Sequence, residues 1–359
     1  MLCRSWNVQF KIVSSLRFQV ATVVVDLKSE IINLKYHMKI LANDGISKSG
    51  IIALEDAGFE VITTKVAQEQ VANYINTNDV AVLLVRSATK VRQDIIDACP
   101  GLKVIGRGGV GMDNIDVEYA REKGIHVINT PASSSDSVAE LVFAHLFSGV
   151  RFLYDSNRNM PLEGDTNFEG LKKAYANGIE LRGKTLGIVG FGRIGRSVAR
   201  VALGLGMRVI AADKFVGSAE IRVDFYNGQF INVDIVTEPL EDIFKHSDFI
   251  TLHVSAQDGG YVIGKEQFEQ LKDGVGIVNA SRGGVIDEVA LIDALDNGKV
   301  AFAGLDVFED EPKPAIQVLM HPKVSLTPHI GAATLEAQDR IGTELAEQIS
   351  SLLKTTQNS

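Results

Sequence analysis

Between Gly183 and Asp213 the chain spells out a complete strand, glycine turn, helix and second strand, and this stretch restricts the fold more than any other. The apolar run Leu186–Val189 enters Gly190-x-Gly192-x-x-Gly195; a helix follows with Ile194, Val198, Val201, Ala202 and Leu205 on one face; Arg208–Ala212 then closes on Asp213. The first glycine permits a tight turn, the second lets a ligand's pyrophosphate approach the backbone, and the third lets the helix pack on its strand. The helix N-terminus adds N–H donors and a positive dipole. Asp213, 18 residues beyond Gly195, can accept from a ribose 2′-OH and repels a 2′-phosphate, so NAD is favoured over NADP.

The spacing alone is weak evidence, because Gly106-Arg107-Gly108-Gly109-Val110-Gly111 fits it too and also follows a short strand, Leu102–Ile105. What comes next separates the two. After Gly111 a helix begins only near Asp116, and the next strand, His126–Ile128, ends in Asn129-Thr130 without an acid. Dinucleotide binding therefore goes to Gly190–Gly195 and another task to Gly106–Gly111.

A chain of 359 residues suits two ordinary domains. From Met38 to Ile128 short apolar strands alternate with amphipathic segments: strands at 39–41, 60–63, 80–85, 103–105 and 126–128, helices at 47–57, 67–75, 92–98 and 117–123. That alternation predicts a parallel sheet with right-handed crossovers. A long helix, 133–151, is expected to bridge the domains, with His145 a satisfied core histidine in its apolar stripe. Polar, glycine-containing 157–177 reads as an irregular linker. Beyond Asp213, strands are expected at 249–253, 277–279, 300–305 and 324–326, and helices at 265–271 and 288–297. One segment departs from this rhythm: 220–235 reads as two alternating strands around Asn227-Gly228, a type I′ hairpin, near the adenosine end, at a subunit contact, or merely decorating the surface. A last helix covers 334–353.

The net charge of −9 argues against nonspecific binding to nucleic acid or an anionic membrane surface, and no apolar run approaches the ~20 residues of a membrane span. Cys3 and Cys99 form no metal-ligand spacing, so no metal is expected and a reducing, cytoplasmic location fits. Met1–Val25 carries Arg4, Lys11 and Arg17 without an acid, loosely like an organelle presequence. Because Met38-Lys39-Ile40-Leu41-Ala42 reads as the first strand of an α/β domain, residues 1–37 are expected to be an upstream extension or mis-assigned start without a catalytic role.

Three further stretches set reactive side chains beside glycine or proline after strands: Asn279-Ala280-Ser281-Arg282-Gly283-Gly284, Leu305-Asp306-Val307-Phe308-Glu309-Asp310-Glu311-Pro312, and Thr327-Pro328-His329-Ile330-Gly331-Ala332. A hydride-transfer enzyme acting on an alcohol needs such groups: a base for the hydroxyl proton, a carboxylate to orient it, and a cation for the carbonyl oxygen. By chemistry alone Glu309, Asp310 and Glu311 are equivalent. In this order, with the fingerprint, the motifs resemble the D-isomer-specific 2-hydroxyacid dehydrogenases from about Met38 to Leu353. Leu84–Val91 and Gly106–Asp116 are most similar to the members that oxidise D-3-phosphoglycerate.

The resemblance implies a flavodoxin-like substrate domain (38–140 plus 333–355) and an NAD-binding Rossmann domain (141–332), both doubly wound parallel sheets. It implies Arg282 as polarising cation, Glu311 as the histidine's partner, chosen by register, and His329 as acid/base. Around NAD it places Gly190, Gly192, Arg193, Ile194 and Gly195 at the pyrophosphate and Asp213 at the ribose. Val254 falls on a lining loop where some members have Thr, and Ala280, Ser281, Arg282, Asp306, His329, Gly331 and Ala332 fall near the nicotinamide. For substrate it implies Arg86, Ser87, Arg107 and Arg151 as polar and cationic contacts, and backbone N–H groups of Gly108, Gly109 and Val110 as a carboxylate cradle in a cleft between the domains.

The expected reaction is NAD-dependent oxidation of D-3-phosphoglycerate to 3-phosphohydroxypyruvate, the entry to serine synthesis, by a homodimer or higher homo-oligomer. A hydroxypyruvate, glyoxylate or D-lactate type enzyme stays open, as does an NAD-sensing interaction protein. Since the chain ends after its last helix, inhibition by serine through a C-terminal regulatory domain is not expected.

Overall fold

The computed structural model describes residues 38–255 and 260–355; the segment 1–37, with Cys3 and the expectation of an extension, lies outside the described residues. Two compact units emerge, one comprising the chain up to Thr130 together with Gln338 onward, the other Pro131–Ala337.

In the first unit, β1 (Met38–Ala42), β2 (Phe59–Ile62), β3 (Val80–Val85), β4 (Val104–Arg107) and β5 (His126–Asn129) pair in the order β2-β1-β3-β4-β5, all parallel. This is the flavodoxin-like order. Helices α1 (Lys48–Asp56), α2 (Val71–Thr77), α3 (Gln93–Ala98) and α4 (Val117–Glu122) provide the crossovers. Every residue of β3, Val-Ala-Val-Leu-Leu-Val, is buried, as a strand covered on both faces requires. Ile341, Leu345, Ala346, Ile349 and Leu353 of the closing helix complete one face of that core. Ligand sites in such sheets lie beyond the carboxyl ends of the strands, here the loops after Ala42, Val85 and Arg107.

The second unit starts with α5 (Ser135–Val150), α6 (Leu153–Glu163) and α7 (Phe168–Ala174), followed by β6 (Thr185–Val189), α8 (Arg193–Gly204) and β7 (Arg208–Ala212). Then come the hairpin β8 (Ser218–Asp224) and β9 (Phe230–Val236), α9 (Leu240–His246), β10 (Phe249–Leu252), α10 (Lys265–Gln270), β11 (Val275–Asn279), α11 (Glu288–Asp296), β12 (Val300–Leu305), α12 (Ile316–Met320), β13 (Val324–Leu326) and the start of α13 (Leu335–Thr355). The parallel sheet runs β13-β12-β11-β10-β6-β7, so strand order turns back on either side of β6 and the fingerprint sits at the switch point. Among the described residues no helix is long and apolar enough to cross a membrane.

Two local expectations need correction. The stretch 157–177 is largely helical, spanning the end of α6 and all of α7. Its helices lack a strong apolar stripe and are tied by polar side chains instead: Tyr175 Oη donates to Asp155 and accepts from Asn159, and Asn167 Nδ2 donates to Glu163. The hairpin is present, but its turn is not type I′. That turn needs positive φ at both central residues, and of Asn227 and Gly228 only the glycine has it, at 83°. Gly228 N–H bonds Phe225 O and Phe225 N–H bonds Gln229 O, the longer loop with a left-handed glycine.

Helix α5 runs antiparallel to the strands it covers. Val138 lies against Gly331, His145 against Gly304 and Gly149 against Phe302, so its start faces the loop after β13 and its end faces the start of β12.

Candidate active site

The fingerprint glycines divide the work as their positions require. Gly190 has φ +96°, and a Cβ there would lie 2.4 Å from the carbonyl oxygen of His253; one on Gly195 would lie 2.1 Å from Gly190 O. Gly192 has nothing within 4 Å of its Cβ position, which leaves its backbone open to a ligand. Asp213 Oδ2 accepts from Phe191 N–H (2.6 Å) and Oδ1 from Phe215 and Val216 N–H (2.8 and 3.0 Å). Burial would raise its pKa, but these donors and the charge of Arg196 hold it below the usual carboxylate range. A cavity of about 600 Å³ opens here, lined by Gly190, Gly192, Asp213, His253 and Val254 among others. His253 bonds Thr251 through Nε2 (2.9 Å), while its enclosed Nδ1 has no partner among the described residues, and burial pushes its pKa down to about 3. Arg193 and Ile194 begin α8 beside Gly192.

Beyond β11, β12 and β13, neighbours in the sheet, the three reactive stretches interlock. Asn279 organises the first: its Oδ1 accepts from Ser281 N–H and Oγ–H (3.1 and 2.8 Å), and its Nδ2 donates to Arg282 O (2.9 Å). Arg282 Nη1 donates to Ser281 O (2.6 Å). A Cβ on Gly283 would lie 1.8 Å from Phe308 O, so the arginine turn sits directly on the backbone leading to Glu311. His329 Nδ1 and Glu311 Oε2 are 2.8 Å apart, both side chains a little over one-third exposed, and Glu311 Oε1 accepts from Phe308 N–H. A carboxylate accepts only, so the Nδ1 of His329 facing Glu311 carries a proton, and in the neutral ring Nε2 is the unprotonated nitrogen. Of the three acids left equivalent by chemistry, Glu309 is engaged elsewhere: it accepts from Glu288 N–H and donates its own N–H to Glu288. Glu288 is buried, which raises its pKa.

Asp306, expected near the nicotinamide, has its carboxylate engaged within its own unit. It is 1% exposed; Oδ1 accepts from Thr327 Oγ1–H (2.6 Å) and Ile330 N–H (2.8 Å), Oδ2 from Gly331 N–H (2.8 Å). His329 N–H donates to Asp306 O (2.8 Å). The acid thus anchors the turn in which His329 takes left-handed φ +54°. His145, satisfied as expected, extends this network: Nε2 meets Thr327 Oγ1 at 3.0 Å and Nδ1 meets Ser325 Oγ at 2.9 Å. Since Thr327 donates to Asp306, it accepts from His145 Nε2–H. Burial lowers the histidine's pKa, against the opposing pull of Asp306. Ala280 and Gly331 are buried and Ala332 half-buried in these loops. The bonding of Asn279 and Thr327 left no sequence signal beyond their place in the motifs.

In the first unit, β3 and β4 pair with Val85 opposite Arg107, which brings Arg86 beside Gly108. Two of the three expected cradle donors are already committed: Gly108 N–H donates to Val85 O (2.9 Å), extending the ladder, and Gly109 N–H to Arg107 O (3.0 Å). The third, Val110 N–H, makes no such bond among the described residues. A Cβ on Gly109, at φ +144°, would meet the Arg107 guanidinium. Whereas Arg86 and Arg107 belong to the first unit, Arg151 belongs to the second. It caps the C-terminal end of α5 against Gly178, a helix length, roughly 24 Å for sixteen residues, from the end that meets Gly331.

Comparison with known proteins agrees with this geometry. The model for the D-isomer specific 2-hydroxyacid dehydrogenase NAD-binding domain matches residues 143–331. Hydroxypyruvate reductase of Thermotoga maritima is 42% identical over 317 residues, 87% of this chain and 97% of that protein. D-3-phosphoglycerate dehydrogenase of Methanocaldococcus jannaschii is 42% identical over 318 residues, 88% of this chain but 58% of that protein. Among solved structures, the TT0316 protein from Thermus thermophilus matches with a TM-score of 0.75 and 28% identity, covering 89% of this chain and 97% of its own. With an NAD-binding domain of this kind and relatives alike along most of its length, the chain belongs to the D-isomer-specific 2-hydroxyacid dehydrogenase family.

Proposed function

We propose that this NAD-dependent D-2-hydroxyacid dehydrogenase oxidises D-3-phosphoglycerate to 3-phosphohydroxypyruvate. The residues around Gly190 fit the nucleotide: a cavity of about 600 Å³, a backbone open at Gly192, and an ionised Asp213 that suits a free ribose hydroxyl and repels a 2′-phosphate. Arg193 and Ile194 would hold the pyrophosphate, and Val254, Ala280 and Ser281 would line the site. When bound, NAD⁺ supplies the hydride acceptor.

The chain's own residues do the rest. His329 takes the C2 hydroxyl proton on Nε2, and the resulting imidazolium is stabilised by Glu311 through the 2.8 Å contact at Nδ1. Arg282 draws negative charge toward the forming carbonyl oxygen. Arg86, Ser87, Arg107 and Val110 would bind the substrate's anionic groups. Phosphate specificity rests on one observation, that the pairing of β3 with β4 sets Arg86 and Arg107 at adjacent strand ends. The same reading takes the protein as a cytoplasmic homodimer or higher homo-oligomer, supported by exposed Leu153, Met160, Leu162 and Phe168 and by Cys99 standing as a free thiol.

Hydroxypyruvate reduction is the competing reading, favoured by the full-length likeness to the Thermotoga reductase. Steady-state kinetics with phosphorylated and unphosphorylated 2-hydroxy and 2-oxo acids separates them. A charge-assisted phosphate contact of about 2–3 kcal/mol corresponds to about 30- to 150-fold in kcat/KM for the phosphorylated substrate; equal values would overturn the phosphoglycerate assignment. His329→Ala should lower kcat by about 10²–10⁴ with NAD affinity retained, and parallel losses in both would remove the histidine from its role.

A further inference from the structure

The backbone of the loop after β3, Arg86-Ser87-Ala88-Thr89, is held by two side chains from different parts of the first unit. Asp44, in the loop after β1, has a side chain only 4% exposed. Its Oδ2 accepts from the backbone N–H of Arg86 (2.8 Å) and of Thr89 (3.0 Å), and its Oδ1 accepts from Thr89 Oγ1–H (2.7 Å) and Lys65 Nζ. Asn114, in the segment after the second glycine motif, donates from Nδ2 to the carbonyls of the same two residues, Arg86 (2.9 Å) and Thr89 (2.7 Å). The loop is thus fixed at both ends through both N–H and C=O, with Ser87 and Ala88 left as an exposed tip.

The sheet does not require this clamp. β3 is already paired on both sides, and Asn43 N–H to Leu84 O and Gly108 N–H to Val85 O carry the ladders to its end. Burying an aspartate and aiming it at two N–H groups of a surface loop is costly unless that loop's conformation matters. The donors also hold its pKa below the usual range against the effect of burial, so the clamp stays charged.

We propose that Asp44 and Asn114 are positioning residues for the substrate, setting the backbone of the Arg86–Thr89 loop from which Arg86 and Ser87 engage the substrate's oxyanion. This rests on the reading of Arg86 and Ser87 as substrate-binding residues. Fixing the loop in advance removes ordering entropy from the binding step. The Gly106–Asp116 motif thereby gains a second purpose, because it delivers Asn114 to the neighbouring loop.

The test is steady-state kinetics of the full-length enzyme carrying Asp44→Asn, Asn114→Ala or Arg86→Ala, alone and combined, with D-3-phosphoglycerate and NAD⁺. Asp44→Asn keeps the shape but cannot accept from all its donors; Asn114→Ala removes the carbonyl side of the clamp and serves if the first variant fails to fold. Each single variant should raise the substrate KM by about 10- to 100-fold, with kcat within about three-fold and the KM for NAD⁺ unchanged. Combined with Arg86→Ala, either clamp variant should add less than its single effect, as for residues acting through one another. If Arg86→Ala raises KM while Asp44→Asn and Asn114→Ala do not, the positioning role is wrong and the substrate reading stands. If Arg86→Ala leaves KM unchanged for every 2-hydroxy acid tried, the substrate reading fails and the proposal falls with it. Equal losses in kcat and in the KM for NAD⁺ would mark the clamp as merely structural.

Discussion

Replacing Asp306 by Asn changes one heavy atom and tests whether the turn that carries His329 depends on a buried carboxylate. The carboxylate accepts from Thr327 Oγ1–H, Ile330 N–H and Gly331 N–H, and an amide of the same shape has one oxygen. With that oxygen toward Thr327 and Ile330, the NH₂ faces the Gly331 N–H; with the amide reversed, the Ile330 N–H is orphaned. Either way one buried donor is left without an acceptor, at about 1–3 kcal/mol, and two bonds fall from charge-assisted to neutral, about 0.5–1.5 kcal/mol each. Removing a buried charge offsets part of this, leaving a net loss of about 2–4 kcal/mol. For a domain of this size that corresponds to about 5–15 °C in Tm.

The effect on turnover follows from the backbone. His329 lies at φ +54°, a left-handed conformation that costs a non-glycine residue about 1–2 kcal/mol and persists only while its surroundings enforce it. The Asp306 carboxylate bonds the next two residues, and its carbonyl bonds His329 N–H. Once the side-chain anchor weakens, the turn can relax, and a displacement of about 1 Å at His329, the proposed base, is worth about 10² in rate. Differential scanning calorimetry and kcat on the same preparation should therefore both fall. Thr327→Val, which removes one of the three bonds, should move both the same way by less. A variant that melts early yet turns over normally would show that the turn needs no anchor; one with neither property altered would refute the hydrogen-bond argument itself.

Asp213→Ser should raise kcat/KM for NADP⁺ relative to NAD⁺ by at least about ten-fold, through loss of the charge that repels a 2′-phosphate; an unchanged ratio would remove the aspartate from cofactor choice. Acid should also destabilise the second unit through its enclosed histidines. His253 is held down to about 3 and His145 is lowered, so below the ordinary value of about 6.5 the unfolded chain binds more protons than the folded one and stability rises with pH. That stability is present above about 6.5 and is lost as pH falls toward the folded values, with a slope of up to about 1.4 kcal/mol per pH unit for each histidine. Urea midpoints from pH 7 to 5 should decline less steeply for His253→Asn and His145→Gln, and an unaltered slope would refute the assignment.

How far the sequence predicts this molecule depends on whether a residue acts through local geometry or through distant partners. Gly190, Gly192 and Gly195 were legible because the turn they make lies within one strand–turn–helix unit, and the parallel sheets followed from the alternation of apolar runs with helices. Helices α6 and α7 were hidden because Asp155, Asn159 and Tyr175 hold them by side-chain bonds that leave no periodicity. Glu311 could be chosen over Glu309 only by likeness to a family, since the bond that engages Glu309 comes from Glu288, 21 residues away. Asp44 and Asn114 were invisible for the same reason, lying 42 and 28 residues from Arg86. A common device nonetheless links them to Asp306 and Asn279. In both units the candidate side chain stands on a loop after a parallel strand, and an acid or amide from a strand end or neighbouring loop bonds that loop's backbone. Motifs therefore reveal where the chemistry stands, whereas the groups that fix its geometry emerge only when the strands are laid side by side.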